Sequence, residues 1–228
     1  MADLPFEFAD ATLTARLARA LDVEGKIPRA LDALGPIAER DVVLLDGGGG
    51  LRARQLADLG GRVTAVERRA DAAGLLAARD LGPGVALAVG EPSATGLPST
   101  SADVVAACWS AFRDPDGPEL AEATRLLRPG GRLLVLHDYG RDDVSRLQDP
   151  GRPEYTTWSR RDGPFLAGGF RIRVIHCWWT FDSLEEATSL VREGFGPAGE
   201  PVAAALVRPR LSYNVAVYHR TMPGATRS

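Results

Sequence analysis

The sequence predicts an α/β protein. It reads as a three-layer sandwich in which a mostly parallel seven-stranded sheet with an antiparallel last strand is covered by helices on both faces. Three observations predict it. Continuous apolar runs such as Val42-Val43-Leu44-Leu45 and Leu133 to Leu136 have the composition of strands buried on both faces. They alternate with helix-like stretches at a period of roughly 20 to 30 residues, the spacing of βαβ units. The first run leads directly into Asp46 and four glycines, Gly47 to Gly50, at a strand-to-helix junction.

In chain order, Asp10 caps a helix carrying Leu13, Leu17, Ala20 and Leu21, which Gly25 or Pro28 closes. A second short helix is expected over 29–40, interrupted at Gly35-Pro36. Val42 to Leu45 is the first strand, and Leu51 to Leu59 the helix after it, ended by Gly60-Gly61. Val63 to Val66 is the second strand with Glu67 at its tip, and Ala70 to Leu81 reads as a helix stopped by Gly82-Pro83-Gly84. Val85 to Val89 is the third strand, followed by a loop over 90–100. Asp103 opens the fourth, which runs toward Cys108-Trp109; Glu119 to Leu127 is a helix and Arg128-Pro129-Gly130-Gly131 its turn into the fifth strand. The polar stretch 141–169 has room for one helix and a long loop. Phe170 to Phe181 is dense in β-branched and aromatic residues and reads as a strand. Ser183 caps a helix that runs through Val191 to a stop at Gly194, and Leu211 to Tyr218 is the last strand. No repeat or long linker divides the chain. The expectation is one domain, with a helical cap at 1–40, a ligand-binding core at 41–138, a substrate-side part with the closing strands at 139–220, and a ragged tail.

The chain has 228 residues, 45% hydrophobic and 25% charged, ordinary for a globular protein. Its Gly and Pro, 41 residues together, are spread through apolar sequence and so indicate turns, not disorder. A net charge of −3 disfavours a general grip on nucleic acid. Cys108 and Cys177 lie too far apart in a chain this long to read as a disulfide scaffold, and the three His have no metal-ligand spacing, so no metal is expected. No apolar run approaches the roughly 18 residues of a membrane span, and residues 1–10 lack a basic leader, so the expected location is the cytoplasm with no membrane partner. Aromatic residues on the last strands leave a homodimer open.

Glycines after a buried strand let a ligand approach backbone N–H groups without meeting a Cβ. Three readings compete for the Asp46 to Gly50 loop. It is a flexible turn, a dinucleotide site, or a site for a nucleoside ligand without phosphate. Gly48-x-Gly50-x-x-Ala53, with Glu67 19 residues after Gly48, satisfies the dinucleotide pattern. Asp46 would repel a pyrophosphate there, although Arg52 offsets part of that. A ligand with a cationic amine or sulfonium near Asp46 and a ribose diol on Glu67 accounts for both acids.

Asp46, Gly48 and Gly50 after a hydrophobic strand resemble the first motif of the class I S-adenosylmethionine-dependent methyltransferases of the Rossmann-like, small-molecule type. Further stretches resemble the same family in order. These are Glu67 at the ribose-binding acid, Ser93-Ala94-Thr95-Gly96-Leu97-Pro98, Ser101-Ala102-Asp103-Val104-Val105, and Leu126-Leu127-Arg128-Pro129-Gly130-Gly131-Arg132-Leu133. The resemblance covers about residues 38–138. It implies S-adenosyl-L-methionine as cofactor, held by Asp46, Gly47, Gly48, Gly50, Glu67, Arg68, Ser93, Ala94, Cys108 and Trp109, and methyl transfer to a small-molecule acceptor. Arg52 stands where a third glycine often follows, and Ser93 where an Asp is usual. These departures keep a second reading open, a non-catalytic binding or regulatory protein on the same fold. A nicotinamide-dependent oxidoreductase ranks third because of Asp46.

Methyl transfer from a sulfonium needs positioning and exclusion of water more than acid–base help. The substrate side is expected at the carboxyl ends of the fourth and fifth strands. His137 is the candidate to remove an acceptor proton, with Asp138 and Tyr139 orienting the acceptor. Phe112 joins Trp109 against the adenine or acceptor, and Tyr155, Trp158 and Trp178 are candidates for an aromatic wall. His176 and Cys177 are adjacent in a strand and so point to opposite faces, which argues against zinc.

Overall fold

The computed structural model describes residues 3–6, 10–68, 70, 81–110, 112–148 and 151–223. Its elements in chain order are α1 (Ala11–Ala20), α2 (Lys26–Leu34), β1 (Asp41–Leu45), α3 (Leu51–Asp58), β2 (Arg62–Glu67), β3 (Val85–Val89), β4 (Ala102–Cys108), α4 (Pro118–Leu126), β5 (Leu127–Asp138), α5 (Pro164–Ala167), β6 (Arg171–Thr180), α6 (Leu184–Ala205) and β7 (Arg210–Thr221). The seven strands form one sheet in the order β3-β2-β1-β4-β5-β7-β6. Strands β1 to β5 pair in parallel, and β7 runs antiparallel to both β5 and β6. The last strand is therefore antiparallel, as expected, and β6 returns to the common direction.

The three layers follow from the two-residue period of the strands. Val42, Leu44, Val104, Ala106, Leu134 and Leu136 pack into one core with residues of α1, α2, α3 and α6. Val43, Leu45, Val105, Ala107, Leu133 and Val135 face the opposite core, which α4 and α5 cover. Because both faces are buried, the strands read as unbroken apolar runs rather than alternating ones.

Several boundaries differ from expectation, each for a local reason. The Asp10 cap is as read, its carboxylate accepting from the N–H groups of Thr12 and Leu13. Pro28 does not close α1. It sits in the first turn of α2, where its missing N–H costs nothing. Arg128 to Gly131 is not a simple turn before β5 but part of it: Ala102 pairs with Leu127 and Val104 with Arg132, so these residues bulge out of the ladder. Gly130 takes φ 80° there. Among the described residues the stretch after β5 holds no long helix, only a short 3₁₀ turn (Val144–Leu147), a π turn (Glu154–Trp158) and the four-residue α5. Helix α6 runs past Gly194 and breaks at Gly196, φ 51° and ψ −128°, ahead of Pro197, before continuing to Ala205. The helix expected over 70–81 and the end of the tail lie largely outside the described residues.

Candidate functional site

Strands β1 and β4 are neighbours and parallel, yet the chain leaves β1 toward β2 on one side and leaves β4 toward β5 on the other. Their carboxyl ends diverge into a crevice, the place where open α/β sheets bind ligands. The Asp46 to Gly50 loop forms one lip. Asp46, Gly48 and Gly50 take φ of 55°, 58° and 86°, a left-handed path that glycine adopts without strain. Gly47 N–H donates to the Val66 carbonyl at 3.0 Å and ties the loop to β2.

Glu67 ends β2 with one carboxylate oxygen accepting from Gly48 N–H at 3.2 Å and the other from Arg68 N–H at 3.1 Å. Asp46, 4% exposed, is held by the Nε–Nη2 edge of Arg68, with contacts of 2.9 to 3.0 Å. Burial works against the Arg68 charge, but the hydrogen bonds and charge of Asp46 hold its pKa above the ordinary value. Beside them Gly90 N–H donates to the Glu67 carbonyl at 3.1 Å. Ala94 N–H closes a turn on Glu91 at 2.8 Å, placing half-buried Ser93 and exposed Ala94 beyond the tip of β3.

The β4 lip is Cys108 and Trp109. Burial pushes the Cys108 thiol up to about 11, so it is a packing group and not a thiolate. Trp109 has φ 46°; its indole N–H donates to Asp138 at 3.0 Å, and its ring stacks on Tyr213 with centroids 6.3 Å apart. Arg52, on the first turn of α3, lays its guanidinium 5.4 Å from the centroid of the Trp109 ring. Its Nη1 donates to Gln55 at 2.6 Å, and its backbone N–H donates to Asp3 at 3.1 Å, so the N-terminal segment lies against the start of α3.

Asp138, at the end of β5, is a hub. It accepts from Trp109, from Tyr213, from Gln148 and Arg152 at 3.0 Å each, and from Tyr155 at 3.4 Å. Burial raises its pKa against the pull of these donors. His137, one residue back, faces the opposite core. Its Nε2–H donates to the Phe112 carbonyl at 2.8 Å, and its ring meets Trp158 at 4.9 Å. Burial lowers its pKa to about 4, so the imidazole is neutral.

The structure thus brings together Asp46, Gly47, Gly48, Gly50, Glu67 and Arg68, with Cys108 and Trp109 joined through Arg52 and Asp138 through Trp109. His137, Phe112 and Trp158 form a separate packed group on the other face. Half-buried Tyr139 lies at the edge of that face beneath Arg141, 6.0 Å away. The expected aromatic wall is dispersed. Tyr155 reaches Asp138, Trp158 packs on His137 and Phe165, and Trp178 lies outside under Arg210 at 4.3 Å. Sequence reading passed over Tyr213, Gln148, Arg152 and Asp3, whose partners lie 10 to 75 residues away with no spacing to mark them. Arg52 carried a signal, as the residue in the third glycine position. A cavity of about 410 Å³ lined by Asp41, Arg62, Gly84, Pro98 and Ser101 lies at the amino ends of the strands, away from this crevice.

A family model described as a methyltransferase domain matches residues 45–135, from the end of β1 through most of β5. No curated protein matches the chain by sequence. Among solved structures, a candidate type II methyltransferase from Anaeromyxobacter dehalogenans is 21% identical, with a TM-score of 0.58 over 86% of this chain and 96% of that one. A SAM-dependent methyltransferase from Aquifex aeolicus is 18% identical, with a TM-score of 0.56 over 93% and 98%. The [4+2]-cyclase SpnF is 16% identical, with a TM-score of 0.52 over 87% and 80%.

Proposed function

We propose that this chain, which has the Rossmann-like fold of the class I S-adenosylmethionine-dependent methyltransferases, binds S-adenosylmethionine in the β1–β4 crevice and transfers its methyl group to a small-molecule acceptor. The observation that carries this reading is the pair of acids flanking the glycine loop at the topological switch point: Asp46 within the loop and Glu67 at the neighbouring strand tip.

The residues present fit the cofactor. Each Glu67 oxygen accepts one backbone N–H and keeps a lone pair, which suits the two hydroxyls of a ribose. The Asp46 carboxylate places negative charge beside the loop, where a cationic amine is stabilised and a pyrophosphate is not. Ser93 offers one hydroxyl, and buried Trp109, covered by Arg52 and Tyr213, backs the β4 lip. The bound cofactor supplies an electrophilic methyl on a sulfonium, open to in-line displacement. The chain's own part is positioning. Asp138 is a positioning residue, because it holds the Trp109 indole while strand β7 supports it through Tyr213. Neutral His137, turned to the other face, is not assigned the acceptor proton. An acceptor whose nucleophile is already unprotonated needs no base from the protein.

A second reading, a ligand-binding protein of this fold without methyl transfer, is favoured by one observation: Arg68 already engages Asp46 along a full edge of its guanidinium. The cyclase likeness also fits a fold that serves other chemistry. The test is to incubate the protein with S-adenosylmethionine and a panel of small O-, N- and C-nucleophiles and follow S-adenosylhomocysteine. Cofactor binding with turnover on an acceptor supports methyl transfer. Binding without turnover across the panel supports the second reading.

A further inference from the structure

Arg52 is 1% exposed, and among the described residues its Nε and Nη2 have no hydrogen-bond partner. A guanidinium cannot shed its proton to escape burial, and unpaired N–H groups on a buried cation are costly. The arrangement around it is built. Gln55 takes Nη1, the Trp109 ring lies against the guanidinium at 5.4 Å, and Ala53 and Leu56 of the same helix are packed into the core. What remains is the Nε–Nη2 edge, the side of the fork that matches a carboxylate with two parallel hydrogen bonds. Arg68 uses the same edge on Asp46 a few residues away in the crevice. Asp3 does not fill the need, since its contact is with the Arg52 backbone N–H.

We infer that the Nε–Nη2 edge of Arg52 receives the α-carboxylate of the aminoacyl end of the crevice ligand, and so selects adenosyl ligands that carry that end. The inference rests on the proposed cofactor reading and names a residue for the part of the ligand that Asp46 and Glu67 do not account for. Arg52 lies two residues past Gly50, on the first turn of α3 after the β1 loop, with its guanidinium beside Trp109 at the end of β4. A glycine in the same place would leave a carboxylate there to backbone N–H groups alone. The departure from the family's glycine pattern thus becomes a specificity device.

The test is calorimetric titration of the full chain with S-adenosylhomocysteine and with 5′-methylthioadenosine, which keeps the nucleoside and thioether but lacks the aminoacyl end. Wild type is compared with Arg52→Met and Arg52→Lys, each checked by thermal melting. Wild type is expected to prefer S-adenosylhomocysteine by about tenfold to a hundredfold, the usual range for a charge-assisted pair. Arg52→Met should cut that preference at least tenfold while leaving 5′-methylthioadenosine affinity unchanged. Arg52→Lys, which keeps the charge but not the fork, should fall between and serves if the Met variant does not fold. An equal loss for both ligands, the mark of a packing role, overturns the inference, as does an unchanged preference, and either leaves the cofactor reading standing. If wild type binds neither ligand, the cofactor reading fails and the inference with it.

Discussion

The two ends of the sheet use charge in opposite ways. At the amino end, Asp41 pairs with Arg62 and Arg128, and Arg128 also reaches Asp103, on side chains 22 to 61% exposed. Such pairs are solvated, screened and individually weak. At the carboxyl end, Asp46, Glu67, Asp138 and Arg52 are all buried. Buried charged groups cost stability unless paired, and they cluster at sites that handle ligands. One sheet thus carries a solvated end and an end with buried charge, where the proposed ligand would sit.

The sharpest way to break this comparison is at Asp138. Asp138→Ala leaves the buried Trp109 and Tyr213 donors without their acceptor, removes the carboxylate partner of Arg152, and is expected to cost about 3–5 kcal/mol, read by urea unfolding. A loss under about 1 kcal/mol would mean the hub is solvated after all. Next is a pH effect. Burial raises the Asp142 pKa from 3.8 to about 6. Between about pH 4 and 6 the unfolded chain has released a proton that the folded chain still holds, so stability falls as pH rises through that window. The fall is about 2–3 kcal/mol and is complete above pH 6. Asp142→Asn should flatten that part of the profile; an unchanged slope assigns it elsewhere. Third, Asp46→Ala should weaken S-adenosylmethionine binding about tenfold or more in calorimetric titration, and unchanged affinity removes the role given to that carboxylate. Smallest is Asp41→Asn at the solvated end. It should move the melting temperature by less than about 2 °C, and a larger shift would erase the contrast between the ends.

The same contrast separates what the sequence could reveal from what it could not. The run Val42 to Leu45 followed by Asp46 and glycines is contiguous, so the strand, the loop and the crevice were legible together. Seven strands followed from similarly local patterns, whereas the antiparallel direction of the last one is set by its pairing with β5 and β6, which no local pattern carries. The Arg128 to Gly131 bulge was not legible, because Pro-Gly-Gly reads as a turn until its pairing with β4 is known. The break of α6 fell at Gly196 and not Gly194 because Phe195 still packs against the core, a tertiary contact that local signals do not carry. His137 shows the limit most clearly. A strand residue at a crevice edge lies on one face or the other by register alone, and a shift of one residue sends Asp138 to the crevice and His137 to the opposite core. The contacts that make Asp138 a hub join residues up to 75 apart, and only the folded sheet brings them together.

The most direct test of the account is calorimetric titration of the wild-type chain with S-adenosylmethionine and S-adenosylhomocysteine, with NADH as control. Both adenosyl ligands are expected to bind in the micromolar range, about −8 kcal/mol, and NADH not to bind. NADH binding, or no adenosyl binding up to about a millimolar, roughly −4 kcal/mol, would contradict it.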